Sequence, residues 1–342
     1  MNSAVAKVLH PLGGRPLICY PLSALRMAGV DPIVVVVGYQ AAAVRAACAP
    51  YHVRFAVQTE QKGTGHAVQA AQSALRTFAG DLLLIYGDLP FLRPETFRNL
   101  IAAHQSAGAA VSLLTETVGD PTGFGRIMRD ARGHVRRIVE ERDATPEERA
   151  NCEVNVGVYC ADAAFLFRTL ARLTPSNAQA ELYLTDIIAL AREEGLRIGD
   201  APATAGEGTQ ISSRADLAAR ERTLREAINN RWLTAGVTLD DPATAYIGPD
   251  VVIGRDTTIG PNVILRGATR VGTGCRFDGS AMVTDAILGN DVHVTFGAVI
   301  AHATVPDGAQ VGSPAARLSP GRREKMRAPA KRAVRRSVRN RR

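Results

Sequence analysis

From residue 247 to residue 300 an aliphatic or aromatic side chain returns at every sixth position. Ile247, Ile253, Ile259, Leu265, Val271, Phe277 and Val283 hold strict register, and after a one-residue slip the period resumes at Leu288, Val294 and Ile300. Small or β-branched residues stand four places after each of the first six: Val251, Thr257, Val263, Thr269, Cys275 and Ala281. A six-residue period is neither the 3.6 of a helix nor the 2 of a flat strand. It predicts short strands stacked around a prism, with the aliphatic residue inside at each turn. Loops on an ordinary β-sandwich would need seven hexads to fall into register by accident.

Upstream the pattern is different. Residues 33–38 (IVVVVG), 53–57 (VRFAV), 81–88 (DLLLIYGD) and 109–116 (AAVSLLTE) read as strands. Between them, residues 15–29, 65–78 and 94–105 have helical periodicity, with Gly29 closing the first and Pro94 opening the third. The alternation predicts an α/β domain built on a mostly parallel sheet covered on both faces, with ligands at the carboxyl ends of the strands. A helix over 213–235, entered through a Ser-Ser cap and stopped at Gly236, separates the two regions.

With 342 residues the chain is long enough for two domains. No apolar run approaches the length of a membrane span, and no secretory signal is recognisable. Its five cysteines are scattered and form no C-x-x-C pair, the pattern of buried thiols in a reducing cytoplasm. The net charge of +8 resembles a nucleic-acid signature until it is located: residues 321–342 hold eleven Lys or Arg and one Glu, leaving 30 basic and 32 acidic residues in 1–320. A run of this kind is usually a solvated extension. It contains no interleaved aromatics for base stacking, so any nucleic-acid binding is expected to be nonspecific phosphate contact.

Polar groups in the first region collect where strands end. QTEQKGTGHA (58–67) offers Gly63 and Gly65 for close backbone approach and a helix amino end for an anion; a G-T-G turn alone equally describes a cap. Asp88 in YGDLP follows a fully apolar strand, where a carboxylate can hold a hard cation against phosphate oxygens, or simply cap a helix. Glu140 follows Ile138 and Val139, and Asn155 stands between Val154 and Val156. Each would be costly to bury without a partner, which sugar hydroxyls or internal backbone groups could supply.

In chain order the motifs are K-V-L-H, V-Q-T-E-Q-K-G-T-G-H-A, L-L-I-Y-G-D-L-P, D-P-T-G-F-G-R-I, I-V-E-x-R-D-A-T, E-V-N-V-G and L-T-D-I-I, followed by the hexad repeat. Together they resemble the bacterial bifunctional GlmU family over roughly residues 1–318. That family pairs an N-acetylglucosamine-1-phosphate uridylyltransferase domain with a left-handed β-helix acetyltransferase domain. The resemblance implies a Rossmann-like nucleotide-diphospho-sugar transferase domain at 1–212, a linker helix at 213–235 and a short left-handed parallel β-helix at 236–320, and the charge run beyond it reads as a basic disordered tail at 321–342. It implies Mg²⁺-dependent formation of UDP-N-acetylglucosamine and pyrophosphate from UTP and N-acetylglucosamine 1-phosphate, in the cytoplasm, by a homotrimer packed through its β-helices. By motif position Lys7 and Asp88 would be catalytic, Lys7 on phosphate and Asp88 on Mg²⁺; Gln58, Gly63 and Thr64 would face uracil; Tyr86 and Gly87 would line the same pocket; Gly125, Glu140, Asn155 and Thr185 would sit on the amino sugar.

Three departures qualify that resemblance. In the family the first strand ends in a glycine-rich loop, L-A-A-G-x-G-T-R-M, ahead of x-S-D-L-P-K-V-L-H, whereas this sequence starts at the Met of that loop. A sheet lacking its central first strand leaves two strand edges and their hydrophobic faces uncovered; a start codon placed late at an internal Met, or a truncated chain, would each account for it. The family's second Mg²⁺ ligand, an Asn, is replaced by Ser212 in QISSR. VGSPAARLSPG (311–321) has Ser319 where the family has a second Arg, and the residues after it do not supply the acetyltransferase side chains, so acetyl transfer is not expected. Other bases or sugars, and a catalytically weak sugar-nucleotide-binding remnant, remain open alternatives. The tail remains open between an anionic-surface arm, a nucleic-acid arm and out-of-frame sequence.

Overall fold

The computed structural model describes residues 1–312. The part of the expected β-helix beyond residue 312, Ser319 and the basic tail lie outside the described residues. After a short helical turn at Lys7–Leu9 comes a hairpin, β1 (Pro11–Leu12) and β2 (Arg15–Pro16), turned by Gly13 and Gly14 at φ +57° and +82°. This turn uses the first residues expected to be helical, so α1 runs only over Cys19–Ala28 and ends on Gly29 at φ +85°. There follow β3 (Val34–Val37), α2 (Ala41–Cys48), β4 (Arg54–Val57), α3 (Thr64–Ala71), β5 (Asp81–Ile85) and α4 (Pro94–Ala107), with Pro94 at the first helical position as its fixed φ favours. β6 (Val111–Thr117), β7 (Arg126–Arg129), β8 (Val135–Val139), α5 (Pro146–Arg149), β9 (Glu153–Asp162), α6 (Ala163–Leu170), α7 (Asp186–Glu193) and β10 (Ile198–Pro202) complete the domain.

The sheet corrects the expectation of mostly parallel pairing. β10 and β6 are parallel, but β9 runs antiparallel to both β5 and β6, and β7 is antiparallel to β8 and β9. The ten-residue β9 comes out of the β7–β8 hairpin excursion and enters the middle of the sheet in reverse. Its alternation serves two cores. Val156, Val158 and Cys160 pack with α1, α2 and α4, whereas Tyr159 and Ala161 pack with α6 and α7. Leu113 and Leu114 of β6 divide the same way.

Among the described residues β3 is paired with β4 alone and β5 with β9 alone. A cavity of about 740 Å³ opens between them, lined by Val34–Val37 on one side and Leu82–Ile85 on the other, over Ile18 and Leu22 of the α1 region. The two uncovered strand edges expected from sequence therefore exist, and all five residues of β5 are half-exposed.

The linker is α8 (Arg214–Thr234). Ser213 accepts from the Asp216 N–H at 3.0 Å, and Asp216 accepts from the Ser213 N–H at 2.7 Å. At its start Leu217 and Leu224 pack against Leu12, Leu17 and Ile211; at its end Ile228 and Trp232 enter the core of the repeat domain. That domain is a parallel β-helix of the left-handed hexapeptide type. Three ladders run along it, and each short strand bonds the one three hexads on: Thr258 pairs with Arg276, Ile264 with Met282, Val252 with Arg270. All ten residues of the six-residue period are buried in one stack, as are the six small or β-branched residues between them.

Candidate functional site

The cavity between β3 and β5 continues beyond the strand ends into a polar region, and most of the sequence motifs meet there. Lys7, Thr64, Tyr86, Gly87, Asp88, Gly125, Glu140 and Asn155 all line it. Gln58, Gly63, Thr185 and Ser212 are not among its lining residues.

At one end the backbone of residues 4–6 is pinned by the α2 entry. Gln40 Oε1 accepts from the Ala6 N–H at 2.8 Å, and the Tyr39 hydroxyl and Gln40 amide both donate to the Ala4 carbonyl. A short turn, Lys7–Leu9, then delivers the Lys7 ammonium onto the Asp88 carboxylate. Strand β5 stops at Ile85, three residues short of the expected end, so Tyr86, Gly87 and Asp88 turn into the cavity. Asp88 is 7% exposed. A Cβ on Gly87 would stand 3.3 Å from Val8, which keeps this position narrow.

The α3 amino end is stitched to residues 182–184. Gly65 N–H donates to the Leu182 carbonyl at 2.7 Å, Leu182 N–H to the Lys62 carbonyl at 2.8 Å, and Leu184 N–H to Thr64 Oγ1 at 3.0 Å. Gly63 has φ +101°, and a Cβ there would lie 2.7 Å from the Leu182 carbonyl, so this is a true close approach. Gln58 braces the same turn by donating to the Gly63 carbonyl at 3.2 Å.

At the other end the groups suit a polyhydroxyl ligand. Glu140 Oε1 accepts from the buried Thr185 hydroxyl at 3.0 Å, and burial pushes the Glu140 carboxyl above its ordinary range. Gly125 faces Glu140: a Cβ there would be 2.9 Å from Ile138 and 3.4 Å from Glu140 Oε2. Asn155 donates from Nδ2 to the Tyr159 hydroxyl at 2.7 Å and accepts the Gly157 N–H at 3.0 Å.

Several residues here were not singled out in the sequence. Arg126, 1% exposed, joins Glu141 Oε2 at 2.7 Å and the Phe124 carbonyl, and the same Glu141 oxygen accepts the Gly123 N–H at 3.2 Å, so a buried guanidinium paired with a half-buried carboxylate holds the loop carrying Gly125. Glu116 accepts from Gly206 N–H at 2.6 Å and Gly208 N–H at 3.0 Å, fixing the segment that brings Gln210 to the cavity wall. Glu116 had a visible signal, an acid at the end of an apolar strand run, as at Asp88. Gln210 had none.

A hard divalent cation takes oxygen donors. Asp88 supplies a carboxylate, and Gln210 brings a carboxamide to the same cavity. Ser212 instead sits at the entry of α8, its N–H donating to Asp216 and its carbonyl accepting from the Met1 ammonium. Among the described residues no group of three or more His, Cys, Asp or Glu is gathered at ligating distance. The residues fit a cation only in the manner of a phosphate-bridging site, where one carboxylate and a neutral oxygen are supplemented by the substrate.

The sequence profile of the MobA-like NTP transferase domain matches residues 1–150. Among curated proteins the chain is 48% identical over 290 residues to the bifunctional protein GlmU of Geobacter metallireducens, covering 84% of this chain and 61% of that protein. It is 46% identical over 327 residues to the GlmU of Anaeromyxobacter dehalogenans strain 2CP-C, covering 94% of this chain and 66% of the relative. Against the GlmU of Trichlorobacter lovleyi it is 43% identical over 325 residues, with coverage of 94% and 70%. The chain thus spans between three fifths and about seven tenths of the length of these relatives.

Proposed function

The chain belongs to the GlmU family, and from that membership we propose that it is a sugar-1-phosphate uridylyltransferase, joining UTP and N-acetylglucosamine 1-phosphate with release of pyrophosphate. The observation that carries this reading is the meeting in one cavity of a Lys7–Asp88 pair at the phosphate end with Glu140, Asn155 and Gly125 at the other.

The reaction needs no covalent intermediate with the protein. The sugar phosphate oxygen attacks the α-phosphorus of the nucleotide in line, and pyrophosphate leaves with the bonding electrons. Positioning and charge stabilisation then carry the rate. Lys7, released from Asp88 when substrate enters, offers its ammonium to the phosphate oxygens on which charge accumulates. The α3 amino end, with Thr64 on the wall and Gly63 letting the turn pack against Leu182, receives the nucleotide. Glu140 accepts from sugar hydroxyls, and Asn155 keeps one N–H and one lone pair for the acetamido group. Asp88, with Gln210 as the neutral oxygen, would hold Mg²⁺, which when bound offsets phosphate charge.

We place the protein in the cytoplasm as a homotrimer. The outward positions of one ladder, Tyr246, Ile264, Met282 and Val299, form an apolar face, and Val299 is 70% exposed. Val299→Asp is expected to lower the mass seen by light scattering from three chains to one; a wild-type monomer at micromolar concentration would end the trimer reading.

The deciding assay is pyrophosphate release with UTP, N-acetylglucosamine 1-phosphate and Mg²⁺. Turnover that needs all three supports the proposal. Turnover with a different triphosphate or sugar phosphate would move the specificity, and binding of UDP-sugar without turnover with any pair would make the protein a binder.

A further inference from the structure

Beneath the sugar end of the cavity lies one buried hydroxyl that the chemistry above leaves unused, that of Tyr159. Tyr159 projects from β9 into the core shared with α6 and α7 and has no exposed surface. Its hydroxyl accepts from Asn155 Nδ2 at 2.7 Å and meets the hydroxyl of Tyr86, which in turn meets Thr64. Burial raises both phenols far above their ordinary range, so both remain neutral hydrogen-bonding groups.

The orientation of the Asn155 amide follows without ambiguity. A backbone N–H can only donate, so the atom 3.0 Å from Gly157 N is the amide oxygen, and the nitrogen is the atom facing Tyr159. Gly157 has φ +81°, and the Tyr86 ring lies against the face where a Cβ would be. Asn155, Gly157, Tyr86 and Tyr159 therefore fix one another, and the Tyr159 hydroxyl is the one member that touches both Asn155 and Tyr86 without lining the cavity.

The geometry points to Tyr159 as a positioning residue for the sugar phosphate: its hydroxyl locks the Asn155 amide in the orientation the ligand meets, although Tyr159 never touches that ligand. The inference rests on the reading of this pocket as a sugar 1-phosphate site. Its chemistry is specific to one substrate, because the Asn155 side chain faces the sugar end and Lys7 and Asp88 serve the phosphate end.

Calorimetric binding of N-acetylglucosamine 1-phosphate and, separately, of UTP with Mg²⁺ tests it on the full chain, with thermal melting to check the fold of each variant. Tyr159→Phe keeps the ring and deletes the hydroxyl. The loss of one fixed hydrogen bond is expected to weaken sugar phosphate binding about tenfold, with UTP binding unchanged within about twofold. In an Asn155→Ala background the same substitution should add nothing. A structural role alone would weaken both ligands and persist without Asn155, and either result overturns the inference. So does wild-type binding that Tyr159→Phe leaves unchanged. Wild-type protein that binds no sugar phosphate overturns the pocket reading, and this inference with it. Should Tyr159→Phe not fold, the unmutated protein decides: of the two Asn155 side-chain amide protons, identified by their loss in Asn155→Asp, the one donated to Tyr159 should exchange slowly with solvent, and its rapid exchange would overturn the locked orientation.

Discussion

Gly157 and Gly133 both have positive φ, +81° and +82°, in different surroundings. A Cβ on Gly133 would meet nothing within 4 Å, whereas one on Gly157 would stand 3.3 Å from Tyr86 Cζ and nearer still to Cδ2 and Cε2. Replacing either by Ala imposes positive-φ strain, about 1 to 2 kcal/mol. Only Gly157→Ala adds the displacement of a packed aromatic ring, about 1 to 3 kcal/mol more. Urea denaturation should therefore show Gly133→Ala losing about 1 to 2 kcal/mol and Gly157→Ala about 2 to 5. The difference between the two isolates the pressure of Tyr86 on the backbone beneath it. A displaced Tyr86 also disturbs the cavity wall, so Gly157→Ala should raise the sugar phosphate KM and Gly133→Ala should not. Equal losses within about 0.5 kcal/mol, the resolution of such comparisons, would refute the claim that the ring requires glycine there.

Lys7→Ala is expected to lower kcat by about 10²-fold, the scale for removing one charge-stabilising group. Although the Lys7 side chain is 39% exposed, its removal leaves the buried Asp88 carboxylate without its cationic partner, so a stability loss of about 1 to 3 kcal/mol should accompany it; that loss with unchanged kcat would assign Lys7 to structure. Burial raises the Glu140 carboxyl above its unfolded value, so the folded state holds its proton to higher pH and stability falls as pH rises through that interval. Glu140→Gln should therefore raise the melting temperature at pH 7 and not at pH 4, while raising the sugar phosphate KM at least about tenfold through loss of a charged acceptor; equal shifts at both pH values would contradict it. Glu116→Gln leaves one of two short N–H donors unmatched and should cost about 1 to 3 kcal/mol in urea, a loss absent if solvent replaces the carboxylate.

The parts of the fold read most directly from sequence were those in which one residue type answers to one local geometry. The hexad positions became the buried stack because a period of six has no other compact solution. Gly29, Pro94 and Ser213 marked helix ends because positive φ, a missing N–H and a side-chain acceptor each suit one end of a helix. The reversed β9 was not legible. A strand buried on both faces has the same apolar run whether its neighbours are parallel or antiparallel, and only the β7–β8 excursion decides the direction. The site divides similarly. Motifs located Asp88, Glu140 and Asn155, but Tyr159 looks like any core aromatic in EVNVGVYC until Asn155 is seen donating to it. Ser212 and Gln210 stand two residues apart, and only the path set by Glu116 decides which of them reaches the cavity.

The two ends of the cavity differ in what supports them, and that difference can be measured. The sugar end rests on β7, β8 and β9, all paired, with Arg126 and Glu141 bracing its loop. The phosphate end rests on β5, bonded on one side to β9, and faces β3, bonded on one side to β4. On a strand paired on one side, alternate N–H groups point away from the partner. Those of β3 and β5 point toward the cavity, where local opening is not needed for exchange. Hydrogen exchange at single-residue resolution should thus give an alternating pattern along Val34–Val37 and Asp81–Ile85, fast and slow by turns, against uniform protection along residues 159–161, which are paired on both sides. Uniform protection of β5 in the protein alone would mean that its outer edge is covered in solution. If the alternation is present and an apolar extended peptide abolishes it, the slot between the strands is a competent strand site, and Asp88, carried at the end of β5, would be held more rigidly once it is filled.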